Sequence, residues 1–319
     1  MGRDLGGPAR KLGKPCYACK TLIPAGDCRC PNPKCKEWNF GGAEGETPEI
    51  VFLSDATISE VPRLRTLHPE MDRFFGGKEG KRGLAQKSTT LVAGPPGSGK
   101  TTLLLELCDF IIPQLDRPAL YVANEQQPDE LRAKGLELGL QHMSRIGILP
   151  AMGGFNGNLF DICIGFKPGI IIVDSLTKLV GRDLELAVLV AASMKEVSVA
   201  CECPTFLINQ VTKELDHSGS EKLQHEVDMT ALFYVEGQTR ILSSDKNRNG
   251  PAPMMLAMRM KSEEDFARGR GGLEVIGLTS EEAEKEEEDA GPVNTIGTDE
   301  ENRPKRRRER MKRHGESEE

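Results

Sequence analysis

The chain contains 319 residues, of which 38% are apolar and 29% are charged, and its formal net charge is −7. This length predicts one main domain with appendages, large enough to bury a full core without disulfides. Its apolar runs are too short to span a bilayer, and the N-terminus lacks the apolar region of a secretory signal. We therefore expect a cytoplasmic protein that does not contact membranes, in which the nine cysteines are not a disulfide framework.

Charge is distributed unevenly along the chain. Residues 1–40 carry eight basic and three acidic side chains, whereas residues 281–319 carry nine basic and fourteen acidic ones. In the second segment an acidic block, Glu281–Asp289, precedes a basic block, Arg303–Arg313. Neither block offers enough apolar surface to offset chain entropy, so we expect residues 279–319 to be a disordered charged tail. The basic block contacts phosphate, serves as a tag for a partner, or is a solvated tail neutralised by the acidic block.

Five of the nine cysteines are clustered near the N-terminus and predict a small metal-binding module. Cys16 and Cys19 form a C-x2-C pair, and Cys30 and Cys35 form a wider C-x4-C pair. Four thiolates from two such pairs suit tetrahedral Zn²⁺, which can fold a segment too short for its own core. Cys28 competes with Cys30 as a ligand, and a redox function of the C-x2-C pair is a second interpretation.

The middle of the chain alternates short strand-like runs with longer helix-like segments. The strand-like runs are Thr89–Ala93, Ala119–Ala123, Gly169–Val173, Thr205–Ile208 and Ala231–Val235, and the helix-like segments are Thr101–Ile112, Pro128–Leu138 and Leu184–Ala200. Strands separated by helices predict an α/β fold with a mainly parallel central sheet. The predicted order is a flexible N-terminus (1–13), the cysteine module (14–40), a linker (41–60), the α/β core (61–278) and the charged tail (279–319).

A glycine-rich loop follows the first of these strands and opens the first of these helices. It reads Gly94-Pro95-Pro96-Gly97-Ser98-Gly99-Lys100-Thr101 and fits the pattern G-x-x-x-x-G-K-[ST] in full. Because its backbone N–H groups and the helix N-terminus suit a triphosphate, we expect these residues and Thr102 to bind ATP. Lys100 is expected to reach the β- and γ-phosphates, and Thr101 to hold Mg²⁺.

Acidic residues at the ends of two further strands complete the predicted site. Asp174 follows the buried run Gly169–Val173 and, beside Thr101, can hold the water shell of Mg²⁺. Glu125 follows the run that ends at Ala123 and is a candidate base for the attacking water, so the sequence predicts an ATP hydrolase. Two other interpretations stay open, in which Asp174 only starts a loop and Glu125 only caps the next helix.

These features occur in the order found in the RadA/Sms family of bacterial DNA-repair ATPases, relatives of the RecA recombinases. The chain resembles this family over about residues 14–280. The specific matches lie in the cysteine module, in the segments Val61–Arg63 and Glu70–Gly77 that precede the glycine-rich loop (the P-loop), and in four later segments. Those four segments are Val211–Glu214 (V-T-K-E), Leu223–Asp228 (L-Q-H-E-V-D), Lys246–Gly250 (K-N-R-N-G) and Gly272–Val275 (G-L-E-V). The resemblance implies a RecA-type P-loop ATPase fold preceded by a four-cysteine zinc finger.

The resemblance also implies a homo-hexamer or filament with ATP at the subunit interfaces. Lys246 and Arg248 would then reach the γ-phosphate bound by a neighbour, Gln210 would sense that phosphate, and Lys213 would contact DNA. The implied partners are single-stranded or branched DNA and other recombination or replication proteins. Without the resemblance, Lys246 and Arg248 are equally well explained as a solvated turn.

The function that follows is a DNA-dependent ATPase of recombination or repair that translocates on or remodels DNA, as in branch migration or helicase activity. One alternative is an ATP-switched recombination mediator with little motor activity, and another is a regulatory ATPase that does not bind DNA. Three features depart from the family. Asn249 replaces a Phe, the segment Leu176–Asp183 after Asp174 is expected to be a short loop, and the charged tail replaces a Lon-protease-like domain. A compact bacterial or phage-encoded relative would show such departures.

Overall fold

The computed structural model describes residues 14–16, 19–23, 30–35, 60–151, 159–181, 183–210 and 217–279. The chain divides into two units, and all described residues belong to the first, Met1–Thr279. The predicted flexible N-terminus, most of the linker and the tail beyond Thr279 lie outside the described residues. Within the described ranges, no helix is both long enough and apolar enough to cross a bilayer.

The cysteine module contains two short antiparallel strands, β1 (Lys14–Pro15) and β2 (Leu22–Ile23). Strands and helices then alternate through most of the core. In chain order the core elements are β3 (Arg63–Leu64), α1 (Pro69–Phe75), β4 (Leu84–Ala85), β5 (Thr89–Gly94), α2 (Lys100–Ile111), β6 (Ala119–Ala123), α3 (Pro128–Leu138), β7 (Ile146–Pro150), α4 (Leu159–Phe166), β8 (Ile170–Asp174), α5 (Leu176–Val180), α6 (Leu184–Ala200), β9 (Thr205–Gln210), α7 (His217–Glu226), β10 (Met229–Glu236), β11 (Thr239–Asn247), β12 (Met254–Met260), α8 (Glu263–Ala267) and β13 (Leu273–Thr279).

A nine-stranded sheet in the order β13-β12-β11-β10-β5-β9-β8-β6-β7 forms the centre of the core. The strands from β10 to β7 pair in parallel, and β11, β12 and β13 extend the sheet with antiparallel pairing. The predicted α/β fold with a mainly parallel central sheet is therefore confirmed. Parallel pairing places the C-terminal ends of β5, β6, β8 and β9 along the same edge of the sheet, meaning the side on which these strands end. Open α/β sheets bind ligands at this edge.

Apolar side chains cover both faces of this sheet. Tyr121 and Phe206 belong to the layer that packs on α2, whereas their chain neighbours Val122 and Leu207 belong to the layer that packs on α6. This division follows from the alternation of side chains along a strand. Four cysteines outside the N-terminal module are buried in these layers, as predicted, namely Cys108, Cys163, Cys201 and Cys203.

The prediction of a loop at Leu176–Asp183 is wrong in its first half, because Leu176–Val180 forms helix α5. The side-chain oxygen of Ser175 accepts a hydrogen bond from Lys178 N at 3.3 Å and so caps the helix N-terminus. Leu176 and Leu179 are buried beneath the helix, which gives this short segment a reason to be helical.

Candidate nucleotide-binding site

The glycine-rich loop connects the end of β5 to the first turn of α2. Gly94 packs so closely on β10 that a Cβ at this position would lie 2.1 Å from the Phe233 carbonyl oxygen. Gly99 precedes α2 with φ 106°, a left-handed conformation that glycine adopts without steric cost. Within the loop Ser98 is buried, as is Thr102 in the helix, whereas Pro96 and Gly97 form its exposed tip. The loop therefore presents its tip at a helix N-terminus, which is a favourable position for phosphate.

Lys100 is buried inside the loop. Its Nζ donates hydrogen bonds to the carbonyl oxygens of Gly94 and Pro95, both at 2.8 Å. Burial lowers the pKa of Lys100, and the nearby carboxylates of Asp174 and Glu125 oppose that shift. Because a phosphate oxygen is a stronger acceptor for an ammonium group than a neutral carbonyl, the residues present fit a bound triphosphate.

Thr101 and Asp174, the two predicted magnesium ligands, are in direct contact. Thr101 Oγ1 donates to Asp174 Oδ2 at 2.8 Å, and the Tyr121 hydroxyl donates to the same oxygen at 2.5 Å. Burial raises the pKa of Asp174, and the hydrogen bonds from Tyr121 and Thr101 act in the opposite direction. A carboxylate and a hydroxyl at this separation are the hard oxygen ligands that Mg²⁺ prefers, so this pair fits the ion.

Glu125, the candidate base, is held by two side chains from neighbouring strand ends. Gln210 Nε2 lies 2.7 Å from each of its carboxylate oxygens, and Ser175 Oγ donates to Oε1. The helix-cap interpretation of Glu125 is wrong, because Gln127 caps α3 in a reciprocal pair with Glu130. Two predicted site residues, 85 positions apart in sequence, therefore form one hydrogen-bonded unit.

Several residues around this unit were missed by the sequence analysis. Asn124 Nδ2 donates to the Ser175 carbonyl at 2.8 Å, and Asn124 Oδ1 accepts from Ser175 N at 2.5 Å. Thr177 Oγ1 accepts from Gln210 N at 2.9 Å, which fixes the end of β9. Tyr121 was missed as well, although a phenol within the aliphatic run Ala119–Ala123 was a usable signal, since a buried phenol needs a hydrogen-bond partner.

Arg240 on β11 contacts the P-loop of the same chain, which the resemblance alone did not indicate. Its Nε donates to the carbonyl oxygen of Ser98 at 3.1 Å. A Cβ on Gly99 would lie 3.4 Å from the same nitrogen. Arg240 therefore supports the loop from the side of the antiparallel strands.

The chain is similar to a known ATPase family and to known DNA-repair proteins. Residues 64–146 match a family described as "ATPase: KaiC". The chain is 30% identical over 264 residues to the DNA repair protein RadA of Haemophilus influenzae, a match that covers 77% of this chain and 54% of that protein. The RadA proteins of Pseudomonas aeruginosa (30% over 266 residues, 74% and 54% covered) and Chlamydia pneumoniae (28% over 272 residues, 78% and 57% covered) are similar to it as well.

The chain belongs to the RadA family. It spans about half the length of the curated relatives it matches. The KaiC-type match contains the P-loop and Glu125, but it ends before Asp174 and Gln210. The hydrogen bonds described above link Asp174 to Thr101 and Gln210 to Glu125, two residues within the matched range.

Lys246 and Arg248, the predicted cationic pair of this RadA-family chain, lie at the opposite edge of the sheet from the P-loop. Arg248 N donates to the Asp228 carbonyl, and Asp228 N donates to the carbonyl of Thr89, the first residue of β5. The P-loop begins at the other end of that strand, five residues on, or about 17 Å away. Arg248 is 51% exposed, with Nη1 3.5 Å from Asp228 Oδ1.

Lys246 is half-buried and does not behave as a solvated residue. Its Nζ donates to the carbonyl oxygens of Gln224 and, at 2.9 Å, of Val227, at the C-terminal end of α7. Burial lowers its pKa, with Arg248 and Lys195 acting in the same direction. Lys213, predicted to contact DNA, lies outside the described residues in the segment 211–216 that precedes α7.

The four predicted zinc ligands of the N-terminal module lie together. The sulfur atoms of Cys16, Cys19, Cys30 and Cys35 all lie within 4.8 Å of one another. The Sγ–Sγ distance is 3.7 Å between Cys16 and Cys35 and 3.4 Å between Cys19 and Cys30. Four thiolates around a tetrahedral Zn²⁺ are separated by about 3.8 Å, so this cluster fits the metal. A hydrogen bond with Thr21 is the main cause that lowers the pKa of the Cys19 thiol to about 6, whereas Cys28 lies outside the described residues.

Proposed function

We propose that this RadA-family chain is a DNA-dependent ATPase that acts in recombination or repair and translocates on, or remodels, single-stranded or branched DNA. One observation carries the proposal, namely that Gln210 donates to both carboxylate oxygens of Glu125. Gln210 directly precedes the segment 211–216, which contains Lys213. A change at the γ-phosphate that moves Gln210 therefore also moves the segment proposed to hold DNA.

The site residues have separate roles in this proposal. The loop Gly94–Thr102 binds ATP, and Lys100 exchanges its two carbonyl partners for oxygens of the β- and γ-phosphates. Thr101 and Asp174 would hold Mg²⁺, whose positive charge would offset the charge on the phosphates. Glu125 orients the attacking water and takes its proton when Gln210 turns toward the γ-phosphate.

Lys246 and Arg248 serve the site of a neighbouring copy in the proposal. Arg248 is hydrogen-bonded through Asp228 to the first residue of β5, and the P-loop begins about 17 Å away at the other end of that strand. Arg248 therefore does not share a nucleotide with Lys100 of the same chain. A head-to-tail ring, such as a hexamer, or a filament brings one edge of the sheet against the opposite edge of the next copy. The exposed guanidinium of Arg248 would then stabilise transition-state charge. Lys246 is hydrogen-bonded to the C-terminal end of α7 and would couple the same contact to this helix, which follows segment 211–216.

The cysteine module holds one structural Zn²⁺ in this proposal. The ion would cross-link β1, β2 and the segment 30–35, which is too short to form an apolar core of its own. Cys16, Cys19, Cys30 and Cys35 would be its ligands, because their four sulfur atoms already converge.

The rate of ATP hydrolysis, measured at low salt with and without single-stranded DNA, tests the proposal. The wild-type chain is expected to hydrolyse ATP faster with DNA. Lys100→Ala is expected to lower the rate by about 100-fold or more, because the developing charge on the phosphates loses its ammonium. Arg268→Ala, which removes an exposed cation paired with Glu264, is the matched control. An equal rate with and without DNA would contradict the DNA-dependent part.

A second candidate function is the ATP-switched recombination mediator with little motor activity, and Asn249 favours it. Asn249 stands where the family signature has an aromatic side chain, and it holds the neighbouring segments through its backbone. Its carbonyl oxygen accepts from Gly77 N at 3.1 Å and from Arg63 Nη2 at 2.7 Å. Ring or filament formation on DNA with slow ATP turnover would support this candidate.

A further inference from the structure

A basic cavity opens beside Asn249 and Gly250, next to the proposed cationic pair. Its volume is about 830 Å³. Its lining contains five cationic side chains, Arg63, Arg65, Lys78, Lys81 and Arg82, together with the carboxylate of Glu60. The nucleotide site described above shares none of these residues.

Two of the five cations are neutralised by ion pairs. Arg65 Nη1 lies 2.9 Å from Asp72 Oδ2, and Lys81 pairs with Glu60. The side chains of Lys81 and Glu60 are 66% and 72% exposed, and surface pairs of this kind are weak. Asp72 is buried and also accepts hydrogen bonds from Thr66, so Arg65 stays paired with it.

The other three cations keep their charge. Arg63 donates to the carbonyl oxygens of Gly83 at 2.8 Å and Asn249 at 2.7 Å, contacts that bind the guanidinium without cancelling its charge. In the described part of the chain, Lys78 and Arg82 form no ion pair. Glu79 is exposed on the same turn, so the described residues at the cavity that are not in ion pairs carry three positive charges and one negative charge, a surplus of two.

The composition of the lining identifies the chemistry of its ligand. Among the described residues that line the cavity none is aromatic, so these residues offer no platform on which bases could stack. Cations at the end of long side chains are instead suited to a row of phosphates. We propose that this cavity binds the phosphodiester backbone of single-stranded DNA without reading its sequence. This inference rests on the function proposed above and names a surface through which DNA would be held.

The cavity is also connected to the proposed catalytic turn. Arg63 and Gly77 N both donate to the carbonyl oxygen of Asn249, the residue after Arg248. Lys78 directly follows Gly77 in the chain. A DNA strand that draws the Lys78 side chain toward its phosphates therefore also acts on the turn from which Gly77 N donates its hydrogen bond. DNA bound here would therefore stabilise the turn that presents Arg248 to a neighbour.

Binding of a fluorescein-labelled oligothymidylate, followed by fluorescence anisotropy over a series of salt concentrations, tests the inference. The double variant Lys78→Ala/Arg82→Ala is expected to bind more weakly. It should also lower the steepness of log K against log salt by about 1.4, because each lost phosphate contact on a single strand contributes about 0.7. Lys78→Arg/Arg82→Lys keeps both charges and is expected to retain most of the affinity.

Three further measurements decide between explanations. Arg268→Ala/Arg270→Ala removes the same amount of charge from another surface and should bind the oligonucleotide as the wild type does. Binding of a fluorescent ATP analogue should be equal in all variants, which shows that the P-loop is intact. Inorganic phosphate, compared with chloride at equal ionic strength, should not compete with the oligonucleotide.

The outcomes separate this inference from the proposed function. Wild-type binding that Lys78→Ala/Arg82→Ala leaves unchanged would overturn the cavity assignment and leave the DNA-dependent ATPase standing. Specific competition by inorganic phosphate would make the cavity a site for a free anion and would overturn the assignment too. No binding of the oligonucleotide by the wild type at low salt would contradict both proposals.

Discussion

Glu106 is a carboxyl group buried on α2, the helix that begins at the P-loop. Its Oε2 accepts a hydrogen bond from Leu273 N at 2.8 Å, and a Cβ on Gly272 would lie 1.7 Å from Oε1. Burial raises the pKa of Glu106 from 4.5 to about 7, against the opposing effect of the Leu273 N–H. Because the folded chain holds this proton more tightly than the unfolded chain, the stability it contributes is complete below about pH 4.5. That stability is lost as the pH rises through about 7.

We predict that Glu106→Gln makes stability less dependent on pH. Glutamine keeps an oxygen that can accept from Leu273 N but carries no charge, so the variant should gain on the wild type by about 2–3 kcal/mol between about pH 5 and about pH 8. Urea denaturation at the two pH values measures this difference. Glu137→Gln on the exposed side of α3 is the control and should show no such gain. An equal difference at both pH values would contradict the prediction.

At the scale of elements, β11 brings cations to both edges of the sheet. Arg240 near its start contacts the P-loop, whereas Lys246 at its end contacts the C-terminus of α7. One strand therefore connects the chain's own nucleotide loop to the residues proposed to reach a neighbour's nucleotide. Such a connection lets the two edges respond together to a change at either one.

The cysteine module allows a prediction that distinguishes two neighbouring thiols. The purified chain is expected to contain one Zn²⁺, and Cys30→Ser is expected to lose it, because the Cys30 sulfur belongs to the four-sulfur cluster. Cys28→Ser is the matched control and should retain the metal. Zinc per chain, measured by elemental mass spectrometry, decides the matter. Zinc that survives in Cys30→Ser but is lost from Cys28→Ser would reverse the assignment.

The sequence predicted those elements whose pattern is local. Strand β6 and helices α3 and α6 have the predicted bounds, because their aliphatic runs and capping residues are contiguous. Strand β7 was missed. It is the outermost strand of the sheet and is half-exposed, so its sequence carries a weaker hydrophobic pattern. Helix α5 was taken for a loop because its burial depends on packing against distant residues.

The candidate site divides in the same way. The P-loop could be identified from one contiguous segment, and Asp174 and Glu125 from the strands that precede them. The contact between Glu125 and Gln210 could not, because it depends on the order in which β6, β8 and β9 pair. The hydrogen bonds from Lys246 to α7 could not be predicted either, since no local pattern indicates which carbonyl oxygens a lysine will reach.

At the scale of the whole molecule, the two edges of the sheet carry complementary parts of the proposed site. One edge holds the P-loop and Glu125, and the other holds Arg248. A site assembled from two copies makes activity depend on assembly, so a variant defective at one edge can be complemented by a variant defective at the other.

We predict that two inactive variants recover activity when they are mixed. Glu125→Gln and Arg248→Ala should each lower the ATPase rate by about 100-fold or more. Random assembly of equal amounts unites an intact Glu125 with an intact Arg248 at about one interface in four, so the mixture should regain roughly that share of the wild-type rate. Lys100→Ala mixed with Glu125→Gln is the control and should stay inactive, because both changes lie at the same edge. A mixture no faster than its components would show that Arg248 acts within its own chain or not at all.

The contact between Gly76 and Gly250 has a consequence for protein engineering. A Cβ on Gly250 would lie 2.4 Å from the Gly76 Cα, so the backbone after Arg248 lies directly against the end of α1. The segment around Gly76 and the segment around Gly250 are far apart in the sequence but pack as one unit. Hybrids built by exchanging segments between homologous proteins should take both of these segments from a single parent, since a mismatched pair would misalign the guanidinium of Arg248 and weaken the proposed interface.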